Sequence, residues 1–366
     1  HLSIRRQRQM CIRDRLKIEE SRFLETLERG EKLLAEITAH ECDLISGAQA
    51  FELYDTYGFP LELTEEIANE KGISVDINGF ENEMAKQRKR AKDASVSIDL
   101  TEEGSIEREI SLFDETIFDG YEKLETTSTV IGIFKNNELV NQAVQGDLVK
   151  IIVNRTPFYA ESGGQIGDKG LITSQDLEVS IENVRKKKNI FIHSGIVNTG
   201  VVKVNSSVQM NVTPSFRQRT TSNHTATHLL QSALKLSIDS SVSQRGSLVS
   251  NDRLRFDFNA PKPLTLKELE DMEVRINQWI NDDHPIQIKT MPIKEAMAAG
   301  ALAMFGEKYG DVVRVVDVPG VSMELCGGTH VTRTSQLGTF KIINETGIAS
   351  GIRRIEAIAG PSALDY

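Results

Sequence analysis

The sequence predicts a multidomain protein of mixed α and β structure: a helical N-terminal region, then a small antiparallel β-barrel, then an α+β domain. Three observations predict it. Apolar residues recur at helical spacing among charged ones up to about residue 95; short β-rich runs between polar turns follow; beyond about residue 213 helical and strand-like segments alternate. A chain of 366 residues has room for two or three domains with cores of their own, and 39% hydrophobic with 26% charged residues suits a globular protein.

The first fifteen residues stand apart. HLSIRRQRQMCIRDR holds five arginines and one acid, and Met10 to Arg15 resembles a translated DNA-library adaptor, so residues 1–15 are expected to be a non-native leader. The alternative is a basic leader or a true helix start. Residues 16–105 form the helical region. Phe23, Leu27, Leu33 and Leu34 give an amphipathic face, a break falls at Ile45-Ser46-Gly47, and Gly58-Phe59-Pro60 makes a turn. A further helix spans 80–93, where Lys86, Arg88, Lys89, Arg90 and Lys92 crowd together as a solvated face or a nucleic-acid contact. Residues 106–213 form the barrel, with strands at Ser128 to Ile133 and Leu148 to Val153. Residues 214–366 form the α+β domain. Its helices are expected at 222–237, 265–281 and 293–300 and its strands at 312–317 and 338–343, with Thr220, Thr221 or Ser222 capping the first helix.

Several function classes are disfavoured at once. Three scattered cysteines (Cys11, Cys42, Cys326) do not make a disulfide framework and point to a reducing compartment, hence the cytoplasm. No apolar run approaches the roughly 20 residues of a membrane span, and no secretory signal begins the chain. A net charge of -10 disfavours a non-specific nucleic-acid coat but permits local basic patches.

The strongest chemical signal is His224-Thr225-Ala226-Thr227-His228, which stacks two imidazoles on one helix face a turn apart. Cys326-Gly327-Gly328-Thr329-His330 repeats that spacing, with two glycines allowing a tight turn between the donors. Three of the seven histidines fall in these motifs, and one Cys with three His is a donor set of zinc type. The first motif lacks the glutamate of HExxH, which argues against a peptidase.

These two motifs occur with Arg155-Thr156-Pro157-Phe158-Tyr159-Ala160-Glu161-Ser162-Gly163-Gly164-Gln165, Gln244-Arg245-Gly246-Ser247, Leu254-Arg255-Phe256-Asp257-Phe258, Gly306-Glu307-Lys308-Tyr309-Gly310 and Arg353-Arg354-Ile355-Glu356-Ala357. In that order the set resembles the editing domain of alanyl-tRNA synthetases and of related free-standing proteins, and more distantly that of threonyl-tRNA synthetases. Glu19 to Gly30 and Leu53 to Pro60 look like the end of a synthetase's helical tRNA-recognition region, which free-standing editors lack. The resemblance therefore implies a synthetase fragment, with the aminoacylation domain expected ahead of residue 16 and the oligomerisation region expected after Tyr366. ATP-dependent charging of tRNA(Ala) with alanine would belong to the parent enzyme.

The resemblance also implies a chemistry. One methyl is worth only about 1–3 kcal/mol of discrimination, so a site for alanine admits glycine and serine and a second site must hydrolyse the wrong ester. The implied activity is hydrolysis of Ser-tRNA(Ala) and Gly-tRNA(Ala), with His224, His228, Cys326 and His330 as ligands of Zn2+. Four protein ligands suit a structural zinc, whereas a catalytic one keeps a position open, and the sequence does not choose. Thr227 is either a hydroxyl for the serine side chain or a packing residue; Gln244 is either a pocket amide or a surface one. Gly163 and Gly164 would let the backbone approach the tRNA terminus or serve turn geometry. Arg353 and Arg354 are candidate phosphate contacts, one of which is alternatively paired with Glu356 or Glu345, and the run Arg185-Lys186-Lys187-Lys188 is either another such contact or a solvated turn. Asp55 is either part of acceptor-stem recognition or a turn carboxylate. The competing readings are a free-standing deacylase and a non-enzymatic tRNA-binding module held together by zinc.

Overall fold

The structure is a computed structural model that describes residues 30–38, 43–57, 59–94, 109–110, 112–303, 309–349 and 351–366, with side chains described except at 87–94. Residues 1–15, expected as a leader, Phe23, Leu27 and the 306–308 part of the Gly306-to-Gly310 motif lie outside these residues, as do the side chains of Arg88, Lys89, Arg90 and Lys92. The chain divides into two compact units between Asp99 and Leu100.

In the first unit a helix over 30–38 is followed by helices Gly47–Asp55, Leu61–Glu70 and Ile77–Ala94. The expected break before residue 47 is a short strand, Leu44–Ile45, paired in parallel with Ser74–Val75. Ser46 then caps the next helix in a capping box with Gln49. Leu34, Ile45, Ala50, Leu53, Phe59, Ala68 and Phe80 make the core.

The second unit begins with the barrel. Strands Glu125–Lys135, Leu148–Val153, Ile190–Thr199, Leu177–Lys187, Gly170–Ser174 and Ser207–Val212 pair in that order, and the last pairs back onto the first, closing six antiparallel strands. Alternation fills the interior: Val130, Ile151, Val153, Ile172, Val179, Ile181 and Met210 are fully or nearly fully buried.

After the barrel comes the long helix Pro214–Ser237, opened by proline in its first turn. It starts two turns before the predicted position. Thr220 and Ser222, expected as caps, are buried inside it, and the Thr220 hydroxyl donates to the carbonyl of Phe216 at 2.9 Å. Pro214 supplies the start signal, and the Thr220 hydroxyl, which looked like a cap, satisfies itself on the preceding turn, while that of Ser222 is buried without a partner. This helix and Leu266–Asn281 pack on an antiparallel sheet of Gln244–Val249, Leu254–Asn259, Ile352–Ala359 and Phe340–Ala349. Leu229, Leu230, Ala233, Phe256, Phe258, Met272, Ile276 and Ile355 form the shared core. A three-stranded antiparallel sheet, Gln287–Pro292, Val312–Val318 and Ser322–Leu325, ends immediately before Cys326.

Two contacts tie the barrel to this α+β region. Loop residues 162–166 leave the barrel and lie along the edge strand Gln244–Val249, with Val249 N donating to Gly164 O at 2.7 Å and Ile166 N to Val249 O at 3.0 Å. Near the start of the long helix, Arg217 is paired with the fully buried Asp168 and donates to the carbonyls of Gly120 (2.6 Å) and Pro157 (2.8 Å). Asp168 also accepts from the backbone N–H of Tyr159 at 2.6 Å, so both charges are fully bonded. Among the described residues no helix is long and apolar enough to cross a membrane.

Breaking this pair strands a buried charge. Asp168→Ala or Arg217→Ala is expected to cost about 3–5 kcal/mol of stability in denaturant unfolding, and Arg217→Lys, which lacks the planar fork, is not expected to restore it. Loss below about 1 kcal/mol in both alanine variants would contradict this account.

Candidate metal centre

His224 and His228 occupy successive turns of the long helix, with ring centroids 5.4 Å apart and both residues buried. The loop after Ser322–Leu325 brings Cys326 and His330 against them. One donor atom from each of the four residues lies within 4.8 Å of all the others. The Cys326 Sγ stands 3.4 Å from His224 Nε2 and 3.3 Å from His330 Nε2. Tetrahedral zinc with ordinary Zn–S and Zn–N bonds has an S···N edge of about 3.5 Å, so the spacing suits that ion.

Hydrogen bonds on the far side of each ring settle which nitrogen faces the centre. His224 Nδ1 meets Gln165 Oε1 at 2.7 Å, and the same oxygen accepts from the backbone N–H of Thr329 at 3.0 Å, so it is the amide oxygen and His224 donates to it. His228 Nδ1 meets the buried carboxylate of Glu324 at 2.7 Å. His330 Nδ1 lies 3.2 Å from Thr225 Oγ1, whose own hydrogen points to the carbonyl of Thr221 at 3.1 Å. All three Nδ1 atoms are thus donors, and all three Nε2 atoms are left to converge on the sulfur. His228 Nε2 is buried with no hydrogen-bond partner. A soft or borderline cation at the centre would answer that unmet atom, and the donor set fits one.

Electrostatics favour a thiolate at Cys326 and divide the histidines. Burial pushes the Cys326 thiol up, but the imidazoles of His224 and His330 overcome it and hold the thiol well below its usual range. Burial keeps His330 neutral, with its pKa lowered to about 3 against the raising effect of the sulfur. His228 goes the other way: burial disfavours its charge, yet Glu324 outweighs that and raises it to about 10.

The loop fits because residue 328 is glycine. A Cβ on Gly328 would stand 2.0 Å from His224 Cε1, so no larger residue sits there without moving the ring. Arg314 donates to the carbonyls of Cys326 (2.9 Å) and Gly328 (2.8 Å), and the Tyr121 hydroxyl donates to that of Gly327 at 2.7 Å. Gln165 Nε2 bonds Thr329 Oγ1 at 2.9 Å.

The other predicted site residues fall in varied places. The Thr227 hydroxyl donates to the carbonyl of Asn223 at 2.9 Å and is buried in its own helix. Gln244, half-buried, donates to Ser247 Oγ at 3.0 Å. Ser247 in turn fills the space beside Gly164, where a Cβ would meet its Oγ at 2.4 Å; the close approach at Gly164 is to this strand rather than to open pocket. Gly163 faces open space. Arg353 and Arg354 are not a free phosphate-facing pair. Arg353 is held by both oxygens of Glu345 (2.5 and 2.6 Å), which stands diagonally across from it on the neighbouring strand, and Arg354 by both of Asp257 (2.7 and 2.8 Å), which stands directly opposite. Asp55 is exposed at the end of its helix in the first unit. Sequence reasoning passed over Gln165, Thr225 and Glu324 as site residues; the last two stand within two residues of a ligand, which was the available signal.

Comparison with known proteins places the chain among synthetases. The family described as tRNA synthetases class II (A) matches residues 3–215. The threonyl and alanyl tRNA synthetase second additional domain matches residues 313–356, which include Cys326 and His330. His224 and His228 fall between the two matched stretches. An alanine-tRNA ligase of Prochlorococcus marinus (strain NATL1A) is 94% identical over 360 residues, covering 98% of this chain and 41% of the relative. That of strain MIT 9515 is 60% identical over 351 residues (96% and 40%), and that of Synechococcus sp. (strain RCC307) 57% over 360 (98% and 41%). The chain thus spans about two-fifths of the length of these curated relatives.

Two substitutions test the centre without touching a ligand. Glu324→Gln keeps the shape but removes the carboxylate that aligns His228, and is expected to weaken zinc binding about 10- to 100-fold in chelator competition. Gly328→Ala, which displaces the His224 ring, is expected to abolish retention of zinc through gel filtration. Wild-type affinity in both variants would show that the four side chains do not share an ion.

Proposed function

The chain belongs to the alanyl-tRNA synthetases of class II, and from that premise we propose that it carries the proofreading part of an alanine-tRNA ligase, hydrolysing the ester of tRNA(Ala) mischarged with serine or glycine. The observation that carries this reading is the convergence of three imidazoles and the Cys326 sulfur from two distant segments, with their donor atoms within 4.8 Å of one another. Zinc is the fitting ion, and when bound it supplies a Lewis acid for an ester carbonyl or its attacking water. Residues 16–105 would be the tRNA-recognition part, with Asp55 a contact in it, and the parent enzyme would attach alanine to tRNA(Ala) using ATP in the cytoplasm.

The protein's own groups have definite tasks in this reaction. Glu324 holds the Nδ1 proton of His228 and so fixes the ring's direction. Gln165 does the same for His224 while binding Thr329, which locks the barrel loop against the Cys-Gly-Gly-Thr-His loop. His224 and His228 are buried while Cys326 and His330 are half-buried, which shields one side of the cluster and leaves the other open to a substrate. Thr227 keeps a hydroxyl lone pair after bonding Asn223, enough to accept from a serine hydroxyl and favour serine over alanine. Gln244 reaches the same loop through Ser247, and the exposed turn at Gly163 leaves room for the RNA terminus. A free-standing editor is the less favoured alternative, because the relatives that match this chain nearly end to end are ligases more than twice its length.

Incubating the purified chain with Ser-tRNA(Ala) and Ala-tRNA(Ala) tests the proposal. Ester loss is expected for the seryl form, at least tenfold faster than for the alanyl form. It is expected to vanish in Cys326→Ala and after chelation, and to return on adding zinc to the wild type. Binding without turnover would favour the non-enzymatic module instead.

A further inference from the structure

Tyr121 lies on the turn after the short strand Ile117–Phe118, at the rim of the metal loop. Its surroundings are unusual for an exposed aromatic. The backbone is fixed on both sides of the turn: Asp119 N donates to Thr156 O at 2.9 Å, and Gly120 O accepts from the buried Arg217 at 2.6 Å. Gly120 is packed so closely that a Cβ would stand 2.1 Å from the carbonyl of Pro157. The phenol is fixed too, through its hydrogen bond to Gly327 O. The Arg314 guanidinium lies 4.2 Å from the ring centroid on one face, and Phe118 meets the ring at 79° with centroids 4.9 Å apart. Even so, Tyr121 is 49% exposed. With Arg314 over the ring, Phe118 at an angle against it and the hydroxyl bonded, about half of this firmly held residue is still open to solvent.

A loop clasp needs only the hydroxyl. It does not require an aromatic residue left half exposed beside a donor cluster, and an open ring surface suits a nucleobase, since every base has a face to stack. Position adds to this. An aminoacyl ester on RNA is borne by the ribose of the terminal nucleotide, so the terminal base lies one sugar away from the reacting carbonyl. Tyr121 bonds the residue next to the Cys326 ligand. The aromatic row continues away from the centre: Phe118 stacks on Phe191 (5.4 Å, 12°), and Lys186 lies over Phe191 at 5.9 Å. Lys186 is exposed on the hairpin that also carries Arg185 and Lys188, so RNA leaving the ring meets a positive edge.

Resting on the proofreading function proposed above, we propose that Tyr121, backed by Arg314, is the stacking platform for the terminal nucleobase of the single-stranded RNA end that brings the ester to the metal centre. The platform fixes the base so that the ester reaches the four-residue cluster. Binding is therefore predicted to depend on the ring and only weakly on its hydroxyl.

The test uses the full 366-residue chain and an uncharged RNA minihelix whose 3′-terminal base is 2-aminopurine, a fluorophore quenched by stacking. Wild type and Tyr121→Phe are expected to quench it and bind alike. Tyr121→Ala and Tyr121→Leu are expected to lose the quench and bind at least fivefold more weakly, as loss of one base–aromatic stack implies. Zinc content and thermal unfolding are measured on each variant, so a folding defect in one leaves the other and the wild-type quench to decide. Failure of wild type to bind or quench, unchanged binding in both ring-deleted variants, or a loss in Tyr121→Phe equal to that in Tyr121→Ala would each overturn the platform. Wild-type quenching without hydrolysis of Ser-tRNA(Ala) would instead overturn the proofreading function and leave the platform standing.

Discussion

Three imidazoles and a thiol packed with their donor atoms within 4.8 Å form an arrangement that resists itself, because converging lone pairs repel and buried polar atoms need partners. The surrounding structure is organised to hold it. Each Nδ1 is pulled outward by a different acceptor, the amide oxygen of Gln165, the carboxylate of Glu324 or the hydroxyl of Thr225, so the rings cannot rotate to relieve the crowding. The orientation of the donors is therefore set by the protein before any ion is considered. Such preorganisation is the condition for a site that must hold a defined geometry while substrate comes and goes.

Holding that geometry requires distant parts of the chain to be registered to within fractions of an ångström. The long helix provides one side and is pinned near its start by Arg217 against the barrel carboxylate of Asp168. The barrel provides Gln165 through a loop that pairs with Val249. The three-stranded sheet provides the cysteine loop, whose carbonyls are gathered by Arg314 and Tyr121. Barrel and α+β region act as one unit because the site lies where they meet, not because a shared apolar core joins them: their two large hydrophobic clusters contain different residues.

Much of this was legible in the sequence where the signal is local. Histidines at i and i+4 within a helical pattern, and a cysteine four residues before a histidine across two glycines, announce a donor set whatever the fold. The barrel strands are legible because alternation is a period of two. What could not be read depends on pairing across long separations. Gln165 contacts Thr329, 164 positions away, and no local pattern marks it. For Arg353 and Arg354 the sequence leaves phosphate contact and pairing with Glu345 both open, and only strand register brings Asp257, 97 positions away, opposite Arg354. Thr220 and Ser222 mislead for the opposite reason: they have the chemistry of caps, but Pro214 had already started the helix.

The division of labour between core and metal bears on what the ion does. In small zinc modules the ion replaces a hydrophobic core, and the chain unfolds without it. Here the α+β region has a core of its own, in which Leu229, Leu230, Phe256, Phe258, Met272 and Ile355 are fully buried. Glu324 and Gln165 keep the donors aligned by hydrogen bonds that need no ion. Binding energy in such a site is not consumed in folding the ligand set and is available to polarise whatever the ion touches. With an ion bound, a half-buried cluster aligned in this way would suit chemistry on a substrate better than a structural staple.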